Sequence, residues 1–398
     1  MSKTLQNILT ALRRMEPLSE KKIESCYHLG FMLQNAENYD AARRNYFPDE
    51  KSRQVFDWRL QNDLLRSFYG EEAPEILDNI PYPKAVWDSL TQQAERMPPV
   101  VMGDYTLDRI HTWILEGYSL KGRCEVEPGD IVLDCGTYTG NTSVYFSQKA
   151  GESGHVYGFE PGPAIFWLYN KNMESYSNVS PVNAALVDKV LLASSATMGF
   201  KQNMGAGCRL AADGDVQVPV TAIDVFCLER NVPRVDFIKM DIEGAEASAL
   251  KGAAETIRAH RPKMAISAYH RKEDLFVLPE TIASICPGYS FALRHFSSCN
   301  YETVLFCWYD EAAVRPPEDV EEVHDPVADG KASRAILSLL VSHLSDATLT
   351  LLVREQAVEK MKNAADEIVA LARENEQLAQ ENMALRRIVE KSRMAVTP

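Results

Sequence analysis

Three acids in this sequence stand where a folded chain would offer them to a ligand, each at the end of a β-type run. Asp134 ends "IVLD", Glu160 follows "VYGF" and Asp241 ends "VDFIKMD". After Asp134 the chain reads "CGTYTGNTS", so Gly136 and Gly140 frame a turn that leads into a helical stretch. A helix start presents amides and the positive end of the helix dipole, which suit an anionic group. The spacing D-x-G-x-x-x-G lacks the middle glycine of a dinucleotide fingerprint, because Tyr138 holds that place, and the lysine of a phosphate loop is missing too. A pyrophosphate is therefore a poor fit. A ligand with a carboxylate for the helix start, a cation for Asp134 and a diol for an acid on the next strand fits better. Glu160, 26 residues after Asp134, is that acid. S-adenosylmethionine carries all three groups, so the pattern predicts a site for it built from Asp134, Gly136, Thr137, Gly140, Glu160 and Asp241.

These residues need a frame. Between about Gly129 and Tyr309 short β-rich runs alternate with helical ones, which predicts a mostly parallel sheet flanked by helices, closed by an antiparallel pair "FALRHFS" and "ETVLFCWY". Residues 190–220, with the turn signal "AADGDV", interrupt the alternation as an inserted β excursion. In open α/β sheets ligands sit beyond the carboxyl ends of the strands, which brings Asp241 toward Asp134 and Glu160. Residues 1–95 read as helical: Leu5, Ile8, Leu9 and Leu12 share one face, Ile23, Tyr27 and Leu33 continue it, and Pro48, Asp49 and Glu50 open another helix. The α/β domain is assigned to 96–310, an acidic, proline-bearing linker to 311–334 and a C-terminal coiled coil to 335–396. In its heptads Met361, Ile368, Asn375, Asn382 and Val389 fall at a, and Ala357, Ala364, Leu371, Leu378 and Leu385 at d. Asparagines at successive a positions, with Glu381 and Arg386 placed to pair between chains, suit a parallel homo-oligomer.

Composition narrows the partners. The 398 residues carry a formal net charge of -14, which argues against a general nucleic-acid surface. No run approaches the roughly 20 apolar residues of a membrane helix, and the N-terminal residues lack a signal-peptide core, so the expected location is cytoplasmic. Eight cysteines without a CxxC pair indicate reduced core thiols, with neither a zinc cluster nor a disulfide framework.

"LDCGTYTGNTS", "GFEPGP", "VDFIKMDIEGAEASALKGA" and the stretch from "AYHRKEDLF" to "NYETVLF" together resemble the FkbM family of S-adenosylmethionine-dependent methyltransferases over roughly residues 45–310. Cys135 and Thr137 depart from the small residues that family more often has there. The resemblance implies a Rossmann-like class I methyltransferase fold and methyl transfer to a hydroxyl, with a glycan or small secondary metabolite as acceptor. An alcohol becomes a good nucleophile as its proton leaves, so a general base is expected. His270, just after "KMAISAY", is the first candidate and Asp241 the second. A metal-assisted variant would gather Asp241, Glu243 and His270 around a divalent ion. Tyr269, Arg271, Arg294 and His295 are expected on the acceptor side, where arginine suits an acidic acceptor, and Trp58, Arg59 and Tyr69 offer a lid or ordinary core packing. A nicotinamide-dependent oxidoreductase and a non-catalytic scaffold assembled through the coiled coil are the competing readings.

Overall fold

The computed structural model describes residues 35–69, 81–201 and 208–311, with His28, Phe31 and Met32. The helical reading before residue 28, the acidic linker and the coiled coil with its oligomer seam lie outside the described residues.

The apolar runs form strands β1 (Ile131–Cys135), β2 (His155–Phe159), β3 (Val179–Val182), β4 (Ala185–Leu186), β5 (Thr197–Lys201), β6 (Arg209–Leu210), β7 (Val216–Thr221), β8 (Phe237–Met240), β9 (Lys263–Ser267), β10 (Tyr289–His295) and β11 (Thr303–Tyr309). Seven of them make one sheet in the order β10-β11-β9-β8-β1-β2-β3. β1, β2, β3, β8 and β9 pair in parallel, while β11 runs antiparallel to both β9 and β10. The antiparallel pair is where the sequence puts it, but β11 lies inside the sheet and β10 forms its edge. All four residues of β8 are buried, as expected of a central strand covered on both faces. The order reverses at β1, so the crevice beyond the carboxyl ends of β1, β2 and β8 is the topological switch point.

The expected β excursion is present as a separate four-stranded sheet, β4-β7-β5-β6, with its own small core of Ala185, Val187, Phe200, Val218 and Val220. The run "VSPVNAAL" is divided: β3 joins the main sheet and β4 the small one. Helices α1 (Ala36–Tyr46), α2 (Glu50–Tyr69) and α3 (Lys84–Glu95) precede the sheet; α4 (Asn141–Ala150), α5 (Pro163–Met173), α6 (Lys189–Ser194), α7 (Ile223–Glu229), α8 (Glu246–Gly252), α9 (Ala254–His260) and α10 (Asp274–Ile285) alternate with the strands. Asp49 starts α2, its Oδ1 accepting from the Ser52 amide at 3.0 Å. α1 and α2 pack on the β10 side through Tyr39 against Phe276, Tyr46 against Phe291 and Trp58 against His295. Cys124, Cys135, Cys227, Cys286, Cys299 and Cys307 are free thiols. Among the described residues no helix is long and apolar enough to cross a membrane.

Candidate active site

The turn after β1 is fixed by close packing. Gly136 has φ +84°, and a Cβ there would overlap the carbonyl oxygen of Asp241 at the tip of β8. Glycine is required because two strand ends meet, as well as for the turn. Gly140, at φ +102°, is the N-cap of α4, which directs that helix start at the crevice. Asp134 corrects the sequence reading. It is 0% exposed, its Oδ2 accepts from Thr142 and Ser143 at 2.8 and 2.6 Å, and Lys239 Nζ lies 3.3 Å from its Oδ1. The carboxylate holds the turn from beneath and is not presented to a ligand cation. Thr137 is corrected in the same way: its side chain is buried, with its methyl against Gly158. Cys135 packs in the core, where burial pushes its thiol well up and keeps it protonated.

Lys239 explains the arrangement. A lysine in the middle of "FIKM" is buried only if its charge is met. β8 lies beside β1 with Lys239 opposite Asp134, and the ammonium also donates to the Gly136 carbonyl. Burial disfavours its charge, but Asp134 and Asp241 raise its pKa.

Glu160 stands one residue beyond β2 and is 7% exposed. Its Oε1 accepts from the Gly162 amide at 2.8 Å. Burial pushes its carboxyl up to about 7, although the Gly162 and Tyr138 amides and Lys239 favour the charged form.

On the other side of the β1 turn, Asp241 meets a ring of polar groups. Tyr118 donates to its Oδ2 at 3.0 Å and Tyr269 to its Oδ1 at 3.1 Å. Burial disfavours the charge of Asp241, but Lys239, His270 and the two hydroxyls outweigh it and hold the carboxyl below its usual range. His270 Nε2 is 3.3 Å from Asp241 Oδ1 and 3.6 Å from Glu243 Oε2, and its Nδ1 is 2.8 Å from Glu246 Oε1. Burial opposes protonation of His270, yet the Glu246 bond and the charges of Glu246, Asp241 and Glu243 push its pKa up to about 9. The imidazole is therefore cationic at neutral pH, and the expectation that it serves as the free general base is revised. Near Tyr118, whose ring is 4.6 Å from that of His111, His111 Nδ1 lies 3.0 Å from Glu302 Oε2. Burial pushes His111 down to about 3, so it is neutral. Burial, reinforced by Asp241 and Asp108, raises the Glu302 carboxyl well above the ordinary range.

The cationic side chains expected to face an acidic acceptor are engaged elsewhere. Arg271 Nε donates to the Gly244 carbonyl at 2.5 Å and Arg294 to Ser52 at 2.8 Å with Asp49 at 3.3 Å, while Arg59, expected as part of a lid, pairs with Asp63 at 2.9 Å. His295 is buried and bonded to Thr303, and burial lowers its pKa to about 3. Trp58 packs against His295 in the core with the rings tilted, so it and Arg59 pack rather than form a lid; the Tyr69 side chain lies outside the described residues. Sequence reasoning missed Tyr118, Glu246, Glu302, His111 and Lys239. Only Lys239 gave a local signal, as a charge inside an apolar strand.

Sheet order, glycine turn and strand-end acids define a doubly wound α/β domain with its ligand edge at the switch point. More particularly, residues 134–303 match the model of the Methyltransferase FkbM domain. Methyltransferase 1 of Beauveria bassiana is 29% identical over 144 residues, which are 30% of this chain and 57% of that protein. Hexuronic acid methyltransferase AglP of Haloferax volcanii is 25% identical over 138 residues, 34% of this chain and 54% of that protein. The chain thus spans about half the length of these curated relatives. Among solved structures, the methyltransferase FkbM from Methylobacillus flagellatus is 22% identical, covering 70% of this chain and 60% of its own, with a TM-score of 0.44.

Proposed function

We propose that this domain transfers a methyl group from S-adenosylmethionine to a hydroxyl of a neutral sugar or a similar small polyhydroxyl compound. The observation that carries the reading is Glu160: a buried carboxylate lies just beyond β2, beside the Gly136–Gly140 turn, and on this reading would accept the two hydroxyls of a ribose. The FkbM domain match over 134–303 supports the reaction class.

When bound, the cofactor supplies a sulfonium methyl of high intrinsic reactivity, so the protein's share is alignment and proton uptake. The acceptor oxygen bonds to the methyl carbon, the carbon–sulfur bond breaks, S-adenosylhomocysteine leaves, and the hydroxyl proton passes to a carboxylate. Glu302 suits that last role in its ionised form, which the raised pKa makes the minority at neutral pH but a stronger base than an ordinary carboxylate. Asp241, fixed by Tyr118 and Tyr269, orients the hydroxyl.

The acceptor end favours a neutral substrate. Asp108, Asp241, Glu243 and Glu302 gather there, while Arg271 and Arg294 are tied to the protein's own groups. One curated relative is named for hexuronic acid; in this chain the same chemistry would act on an uncharged ring. The net charge of -14 supports a small-molecule or glycan acceptor over nucleic acid. The heptads of 335–396 support a homo-oligomer, which light scattering on the full chain tests.

The test of function is transfer of labelled methyl from S-adenosylmethionine to paired neutral and acidic sugars. Labelling of the neutral member, abolished in Glu302→Gln and weakened in Glu160→Gln, is expected. Label that stays off every hydroxyl compound, or goes preferentially to the acid, overturns the proposal.

A further inference from the structure

We propose that Asp241, Glu243 and His270 hold a divalent cation at the tips of β8 and β9, with Glu246 as the carboxylate that orients the histidine. The inference rests on the transferase reading only for what the ion does to an acceptor; the binding site stands on its own geometry.

The first observation is an unpartnered atom. The His270 side chain is 7% exposed, and its Nε2 is buried with no hydrogen-bond partner. That nitrogen, protonated in the metal-free protein and obliged to release its proton to solvent when an ion binds, faces two carboxylate oxygens, Asp241 Oδ1 at 3.3 Å and Glu243 Oε2 at 3.6 Å. Ligands about 2.1 Å from one ion lie about 3.0 Å apart at octahedral angles and about 3.4 Å apart at tetrahedral ones. The two distances from Nε2 are a few tenths of an ångström wider, as expected for ligands that close on an ion.

The second observation is the support behind each ligand. Metal-binding histidines almost always give their other nitrogen to a carboxylate or carbonyl. His270 Nδ1 is 2.8 Å from Glu246 Oε1, and Glu246, 1% exposed, is itself held by the Ile242 amide at 2.9 Å. Asp241 is steadied by both tyrosine hydroxyls, which leaves each oxygen a lone pair. Asp241, Glu246 and His270 keep ligand-type atoms within 4.8 Å of one another. Asp241, Glu243 and Glu246 thus stand beside one imidazole, with Lys239 beside Asp134 and Arg271 bonded to the Gly244 carbonyl. The mixed oxygen and nitrogen set favours manganese over calcium.

Such an ion would sit at the acceptor end and lower the pKa of a bound hydroxyl. The experiment titrates the full chain, first stripped with chelator, with Mn2+ alone and reads calorimetry and electron paramagnetic resonance. One saturable site is expected, with nitrogen modulation in the pulsed spectrum from His270. The nitrogen signal should vanish in His270→Ala, and affinity should fall about 10–100-fold in Glu246→Gln, the usual cost of losing a supporting carboxylate. Circular dichroism confirms that both variants fold; should His270→Ala fail to fold, His270→Gln takes its place. Absence of saturable binding in the wild type, or unchanged nitrogen coupling in the folded His270 variant, overturns the proposal. Manganese binding with no methyl transfer would instead overturn the transferase reading and leave the metal site standing. Methyl transfer with no manganese binding would do the reverse.

Discussion

Glu160 turns the cofactor reading into a pH experiment. Its carboxyl titrates near 7 because burial disfavours the charge, against an ordinary value of 4.5. A ribose diol donates two hydrogen bonds, which the ionised carboxylate accepts best. With a pKa of about 7 almost all of the protein is ionised at about pH 8.5 and roughly one-tenth at about pH 6. Affinity for the nucleoside should therefore fall about tenfold between these limits. 5′-Methylthioadenosine is a clean probe, since it keeps the diol and loses the amino-acid group that titrates in the same range. Calorimetry on the wild type should show the tenfold fall, and Glu160→Gln should bind with a flat profile. At the alkaline end the variant should be about 10–100-fold weaker, as expected for lost charge-assisted bonds worth about 1.5–3 kcal/mol. Stability should change in the opposite sense. A group whose pKa is raised by folding stabilises fully below its unfolded value, and that contribution disappears as pH rises through its folded value. The ionised Glu160 thus costs the free protein up to ~3 kcal/mol at alkaline pH, and Glu160→Gln should melt higher there, with the gap closing toward acid. A flat affinity profile for the wild type, or the same slope in Glu160→Gln, would refute the placement of the diol.

Two further predictions separate structural from functional charges. Lys239→Met leaves Asp134 buried and unpaired, so urea unfolding should show a loss of about 3–5 kcal/mol, most of it recovered in Asp134→Asn with Lys239→Met; a single-variant loss below about 1 kcal/mol would mean the ion pair does not hold the turn. Arg294→Ala should lower stability by about 1–2 kcal/mol through its bonds to Ser52 and Asp49, with no change in KM for acidic sugars; a selective rise in that KM would restore arginine to acceptor recognition.

What was legible in the sequence follows the range of the forces involved. β1, β2, β8 and β9 were readable because apolar β-branched runs between turn residues form buried strands whatever their neighbours. Glu160 and Asp241 were readable because the end of a strand is a local property and the ligand edge follows from topology. The direction of a side chain within the turn was not. Asp134 and Thr137 both look outward on spacing alone, and only the register that sets Asp134 beside Lys239, and the glycine at 158 that admits the Thr137 methyl, turn them inward. His270 was visible as a histidine after a strand, but its protonation depends on Glu246, which reaches it from the first turn of α8. Tyr118 and Glu302 come from segments far apart in the chain and converge only when the sheet closes.

The central strand ties the two halves of the site together. Along a β-strand, residues two apart share a face, and the stretch Lys239–Met240–Asp241 at the end of β8 uses that spacing. Lys239 neutralises Asp134 and holds the Gly136 carbonyl, which sets the cofactor turn. Two residues on, Asp241 receives the tyrosine hydroxyls and faces His270, which sets the acceptor end. The same lysine also favours the charged form of Asp241. A change at Lys239 is thus expected to reach both halves: it loosens the turn proposed to hold the cofactor and raises the pKa of Asp241, the acid proposed to orient the acceptor. Gly136 completes the coupling, because its missing side chain is what lets the Asp241 carbonyl lie against the turn. On the proposed transferase reading, the distance between methyl donor and acceptor would then be set by backbone contact between two adjacent strands.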